Sequence, residues 1–121
     1  PEWVINKVKL AIADFLQANP DKTVKDVVIA FYGLAFKANI DDLRESPALN
    51  IASKISDFHA GNVLVVEPNI EVLPKAIQSL QLVSTDNALE EANIHVMLVD
   101  HQEFKELKLN RGLIVDTKGI W

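Results

Sequence analysis

The sequence predicts an α/β protein: a three-layer, doubly wound parallel sheet of five strands in the order 3-2-1-4-5, Rossmann-like, with an N-terminal amphipathic helix. Three observations carry that expectation. Apolar runs of up to six residues alternate with segments of helical periodicity. The runs are uniformly apolar, where half-exposed antiparallel strands would alternate apolar and polar residues. A chain of 121 residues with 49% hydrophobic and 24% charged content suits one globular domain, able to bury roughly two-thirds of its unfolded surface.

From Trp3 to Leu16 the residues Val4, Ile5, Val8, Ala11, Ile12, Phe15 and Leu16 recur at helical spacing, and Asn19-Pro20 ends the pattern. Asp21 to Asp26 is a polar connection. Val27 to Tyr32 follows as a continuous β-branched and aromatic run, the first strand. A loop from Gly33 to Glu45 leads to Ser46-Pro47, a hydroxyl at the N-cap and a proline at the first helical position, where its missing N–H costs least. The buried stripe of this helix comprises Ala48, Ile51, Ala52, Ile55 and Phe58, and Gly61 supplies a left-handed turn beyond its end. Then come the strand Val63 to Val66, a turn at Glu67-Pro68-Asn69, a helical piece from Leu73 to Leu80 and a short strand from Gln81 to Ser84. Asp86 caps a helix reaching Ala92, Ile94 to Val99 is the fourth strand, Gln102 to Leu107 a short helix, and Leu113 to Val115 the last strand.

Twelve basic against 17 acidic residues give a net charge of -5, which argues against nucleic acid or an anionic membrane as a partner. A small anion remains open, because local cations and backbone N–H groups hold phosphate whatever the total charge. The absence of cysteine excludes disulfides, thiolate metal sites and a cysteine nucleophile from this chain, and suits a reducing cytoplasm. No apolar run approaches the length of a membrane span. The start Pro1-Glu2-Trp3 carries neither a signal-peptide pattern nor an initiator methionine. Residues 1–121 are therefore expected to be one domain excised from a longer protein.

In such sheets ligands bind beyond the carboxyl ends of the strands, where the strand order reverses. That places Gly33 to Arg44, Glu67, Asp100-His101 and Asp116 to Gly119 at the functional edge. Gly33-Leu34-Ala35-Phe36-Lys37 has one glycine and cannot make the G-x-G-x-x-G approach to a pyrophosphate. It offers instead an aromatic, Phe36, beside a cation, Lys37, with Arg44 close to a helix N-terminus. These suit a nucleoside diphosphate, the ring covering a base or sugar and the cations meeting phosphate. The same pattern is met more often as a core ring beside a solvated lysine, and Arg44 among Asp41, Asp42 and Glu45 reads as a local ion pair. Lys118, after the last strand, faces either the crevice or solvent. Glu67 lies where dinucleotide enzymes keep a ribose-binding acid, but Pro68 favours a turn. Asp100, His101 and Glu103 lack a specific metal-ligand spacing and read better as a helix cap. His59 and His95 have no evident partners, and no Ser-His-Asp order or carboxylate pair forms a catalytic set.

The string from Gly33 to Ala48, GLAFKANIDDLRESPA, resembles the signature of the C-terminal domain in the UDP-glucose/GDP-mannose dehydrogenase family. Val66-Glu67-Pro68-Asn69, Val96 to His101 and Val115-Asp116-Thr117-Lys118-Gly119 follow in the matching order and are most similar to its UDP-N-acetylmannosamine dehydrogenase branch. The resemblance implies a domain that holds the UDP-sugar while a longer parent, a homo-oligomer, oxidises the sugar C6 alcohol to a carboxylate with two NAD through a cysteine thioester, making cell-surface polysaccharide precursors. It implies that Phe36, Lys37 and Lys118 contact the nucleotide sugar and that Arg44 reaches NAD, which is bound mainly by a missing N-terminal domain. Lys118 stands where many relatives have arginine, keeping the charge without the bidentate fork. By itself the fragment would be inactive. UDP-glucose is the alternative substrate. Two other readings are a receiver-like signalling module, suggested by Asp41-Asp42 and Lys118 but with its acidic pair displaced from the first strand, and a dimerisation domain using the first helix.

Overall fold

Backbone amides in buried apolar runs have no water to bond to and must bond to one another. The computed structural model, which describes residues 2–34, 46–68, 70, 73, 80–109, 112–119 and 121, joins these runs into one parallel sheet. β1 (Ile29–Tyr32) lies at its centre, between β2 (Val63–Val66) and β4 (Ile94–Met97). β3 (Gln81–Leu82) flanks β2, and β5 (Leu113–Asp116) flanks β4. The order β3-β2-β1-β4-β5 is the predicted one, and it reverses direction between β1 and β4.

Alternation of side chains along each strand divides the core in two. Ile29, Phe31, Val63, Val65, Ile94 and Val96 pack beneath α1 (Glu2–Ala18) and α2 (Pro47–Phe58), which contribute Val4, Ile5, Val8, Ile51 and Ile55. Ala30, Tyr32, Leu64, Val66 and Met97 face α3 (Thr85–Glu91) and its Ala88, together with Phe104 from the 3-10 turn Gln102–Phe104 and Trp121. Each fully buried Val, Leu or Ile contributes roughly 1.5–3 kcal/mol, so both layers stabilise the sheet.

Several local expectations change. Phe58 is 47% exposed because it ends α2; its ring instead lies 5.1 Å from the Lys9 ammonium, a cation–π contact. Gly61 is not left-handed: the positive-φ glycines are Gly33, Gly112 and Gly119. Close approach explains Gly61 instead, since a Cβ there would lie 2.3 Å from the Val27 carbonyl oxygen. Ser84, not Asp86, caps α3, its hydroxyl accepting from Asn87 N at 3.2 Å. β5 is not covered on both faces, for Ile114 is 47% exposed on this edge strand.

The connection Asp21 to Asp26 contains a 3-10 turn, Val24–Asp26. The Asp26 carboxylate accepts from Thr23 N at 2.9 Å, which holds its carboxyl below the usual range. The two histidines without evident partners both have them. His59 Nε2 donates to the Val27 carbonyl at 2.7 Å, and His95 Nδ1 shares a hydrogen bond of 2.7 Å with the Tyr32 hydroxyl. Of the helical piece from Leu73 to Leu80, residues 74–79 lie outside the described residues. No helix among the described residues is long and apolar enough to cross a membrane.

Candidate functional site

Beyond Tyr32 the chain leaves the sheet at the switch point. The Tyr32 carbonyl accepts from both Leu98 N and Val99 N, at 3.0 and 3.2 Å, which ends β4 and turns the following chain across β1. Gly33 N still donates to the Val66 carbonyl at 2.8 Å, but its φ is +100°. A Cβ at Gly33 would lie 2.6 Å from Val99 Cβ. Left-handed backbone and close approach both require glycine here.

That turn takes the backbone of Leu34 out of the sheet ladder, and side chains satisfy both its N–H and its carbonyl. Leu34 N donates to Glu67 Oε1 at 2.8 Å, and the Leu34 carbonyl accepts from the Ser46 hydroxyl. Ser46 also accepts from Leu49 N at 3.1 Å. It therefore does more than cap α2: it ties the chain before residues 35–45 to the chain after them. His101 Nε2 donates to the same Glu67 Oε1 at 2.9 Å, with both side chains fully buried. The imidazole packs edgewise on Phe104, with ring centroids 5.4 Å apart.

Glu67 begins the expected turn, its carbonyl accepting from Ile70 N at 3.3 Å, while its side chain is buried. A buried carboxylate is tolerated only when paired and hydrogen-bonded, and two N–H donors converge on one of its oxygens. Although it stands where a ribose-binding acid would, that oxygen already serves the protein. The His101 Nε2 is likewise taken up by Glu67. Among the described residues no group of three His, Cys, Asp or Glu could hold a metal, and the His101 ring makes no capping bond to the 3-10 turn it precedes. An apolar strand directly before each, Val63 to Val66 and Ile94 to Val99, was the signal in the sequence that placed Glu67 and His101 at this edge; their pairing had none.

The end of β5 forms a second organised turn. Asp116 Oδ1 accepts from Lys118 N at 2.9 Å and Gly119 N at 2.7 Å, while Oδ2 accepts from Trp121 N at 2.7 Å. Thr117 Oγ1 donates to the Met97 carbonyl at 2.6 Å, tying this turn to β4. Trp121 closes it from behind, with Nε1 donating to the Phe104 carbonyl at 2.9 Å and the indole edge-on to Tyr32, centroids 4.9 Å apart. Lys118 is exposed on this turn, at the carboxyl edge of the sheet.

Phe36, Lys37 and Arg44 lie outside the described residues, which bracket them at Leu34 and Ser46. Both brackets sit at the switch point. Beside Glu67 a cleft of about 360 Å³ opens over the ends of β2 and β3, lined by Pro68, Ile70, Leu82, Ser84 and Thr85. The described residues do not fit NAD in the usual dinucleotide manner. A single glycine makes the turn after β1, and the acid after β2 is engaged by Leu34 and His101.

Residues 30–121 match the UDP binding domain of the UDP-glucose/GDP-mannose dehydrogenase family. UDP-N-acetyl-D-mannosamine dehydrogenase from Yersinia pestis is 52% identical over all of this chain, and the enzyme of that name from Escherichia coli K12 is 51% identical. The chain spans about 30% of the length of these relatives. Among solved structures, a UDP-N-acetyl-mannosamine dehydrogenase from S. aureus superposes with a TM-score of 0.72 at 25% identity, over 99% of this chain and 27% of that one. A UDP-glucose dehydrogenase from Pyrobaculum islandicum gives a TM-score of 0.74 at 20% identity, over 98% and 27%, a likeness of fold.

Proposed function

The chain belongs to the UDP-glucose/GDP-mannose dehydrogenase family, and from that premise we propose that it is the nucleotide-sugar-binding part of an NAD-dependent UDP-N-acetyl-D-mannosamine 6-dehydrogenase. Identity of 52% along the whole chain with a relative of that name carries this reading. The UDP-glucose dehydrogenase shares the fold at 20% identity and gives the alternative substrate no comparable support.

In this reading the clasp at Leu34 and Ser46 holds the base of the segment bearing Phe36 and Lys37. The Phe36 ring covers the base or sugar, the Lys37 ammonium meets the diphosphate, and Lys118 adds a second cation from the turn after β5. Arg44 reaches toward NAD bound by another part of the protein. Oxidising a primary alcohol to a carboxylate removes four electrons, so two NAD⁺ are reduced and one water is consumed per sugar. A thiol nucleophile has to come from outside these residues, which contain no cysteine. The domain binds and orients, and by itself is inactive. The carboxylated product is a precursor for cell-surface polysaccharide. The whole enzyme works in the cytoplasm as a homo-oligomer.

The test is NADH formation by the full-length protein, offered UDP-N-acetyl-D-mannosamine, UDP-glucose and UDP-N-acetyl-D-galactosamine in turn. The expected result is turnover of the first with two NADH per sugar. Preference for UDP-glucose would replace the substrate, and no turnover of any UDP-sugar would overturn the reading.

A further inference from the structure

The strand register sets the end of β5 level with the switch point. Asp116 pairs with Met97, and Met97 with Tyr32, so the turn after β5 leaves the sheet at the same height as the turn after β1. Two strand spacings, about 10 Å, separate them. Lys118 is exposed on this turn and brings a cation to the carboxyl edge. Two residues before it stands a carboxylate. A negative charge beside a cation that meets phosphate opposes anion binding, so hydrogen bonding, not charge, accounts for an acid here. Asp116 Oδ1 accepts from Lys118 N at 2.9 Å and Gly119 N at 2.7 Å, and Oδ2 accepts from Trp121 N at 2.7 Å. Gly119 takes a φ of +72° as the chain turns. Thr117 Oγ1 donates to the Met97 carbonyl at 2.6 Å and fastens the turn to β4. The backbone that carries Lys118 is therefore held on both sides, at Thr117 and at Gly119.

We propose that Asp116 and Thr117 are positioning residues for Lys118: they pre-form the turn from which the Lys118 ammonium meets the diphosphate of a nucleoside-diphosphate sugar. This rests on the binding reading above. With the turn already formed, anion binding has only the lysine side chain to order, whereas a loose turn adds its own backbone to that cost. Asp116→Ala removes the carboxylate that accepts from all three N–H groups. Thr117→Val keeps the branched shape and removes the hydroxyl that donates to Met97.

The experiment is a double-mutant cycle by calorimetric titration of the full-length protein with UDP, with the melting temperature recorded for every variant. Lys118→Ala is expected to weaken UDP about ten-fold, as for the loss of a hydrogen bond to a charged group. Asp116→Ala should weaken it about five-fold, the factor for ordering one further residue of backbone. In the Lys118→Ala protein the same Asp116→Ala change should alter affinity by less than about two-fold, because without the ammonium the turn has nothing to position. A purely structural role would not depend on Lys118 in this way. If Asp116→Ala does not fold, Thr117→Val decides, with about three-fold weakening expected beside Lys118 and none without it. An Asp116→Ala protein that binds UDP as wild type does, or that loses the same factor with and without Lys118, would overturn the positioning role. So would wild-type affinity in Lys118→Ala, with the binding reading left standing. Wild-type protein that fails to bind UDP would overturn the binding reading itself, and this inference with it.

Discussion

The Ser46 hydroxyl donates to the carbonyl of Leu34 while accepting from Leu49 N, so one side chain caps α2 and ties its start to the chain just beyond β1. Removing it leaves an orphan helix N–H and a buried carbonyl without that donor. Ser46→Ala is expected to lose about 2 kcal/mol, roughly one for the cap and one for the clasp. Ser46→Thr, which keeps the hydroxyl, should lose less than about 1 kcal/mol. Urea unfolding checks both, and an Ala variant as stable as wild type would contradict the double role.

Gly33 and Gly119 separate strain from collision. Both have positive φ, but only at Gly33 would a Cβ collide, with Val99; nothing lies within 4 Å at Gly119. Gly119→Ala should cost about 1 kcal/mol from backbone strain alone. Gly33→Ala should cost about 3 kcal/mol or more, because the chain must also move away from β4. Equal costs from thermal melts would contradict the close approach.

Burial pushes the Tyr32 phenol above its ordinary pKa. The unfolded chain then releases this proton first, so the contribution of Tyr32 to stability is intact below about pH 10 and falls as pH rises beyond it. Tyr32→Phe removes that dependence and also the hydrogen bond to His95, at about 1 kcal/mol near neutrality. Melting temperatures from pH 8 to 11 should therefore converge for the two proteins at the alkaline end. A constant gap across the range would contradict the assignment.

Asp116 collects the N–H groups of Lys118, Gly119 and Trp121 on one carboxylate. Asp116→Ala should speed hydrogen exchange at those three amides by at least about five-fold, since each loses a bond worth about 1 kcal/mol. β1 should keep its protection, because its ladder does not involve Asp116. Unchanged exchange at Lys118 would show that the turn is held by other means.

The fold was legible because continuous apolar strands and helical stripes signal the same architecture twice: Val63 to Val66 cannot be half-exposed, and Ser46-Pro47 starts a helix by local chemistry alone. What escaped depends on contacts between residues distant in sequence. Glu67 and Leu34 are 33 residues apart, and Glu67 and His101 are 34 apart. No periodicity reports such a pairing. Gly61 misled for a related reason: a glycine after a helix suggests a left-handed turn, whereas here it makes room for the Val27 carbonyl. Phe58 fits the apolar spacing of α2 yet lies at its last position. In the candidate site, Lys118 falls at the carboxyl edge of the sheet as its place after the last strand predicts. Phe36, Lys37 and Arg44 stand between two residues, Leu34 and Ser46, whose mutual bond was not foreseen.

Titration of the full-length protein with UDP, wild type against Lys37→Ala, tests the central claim most directly. Loss of one ammonium from a diphosphate is expected to weaken binding by about ten-fold or more, as for a hydrogen bond to a charged group. The melting temperature should be nearly unchanged. Equal affinities for the two proteins would contradict the role given to the segment between Leu34 and Ser46.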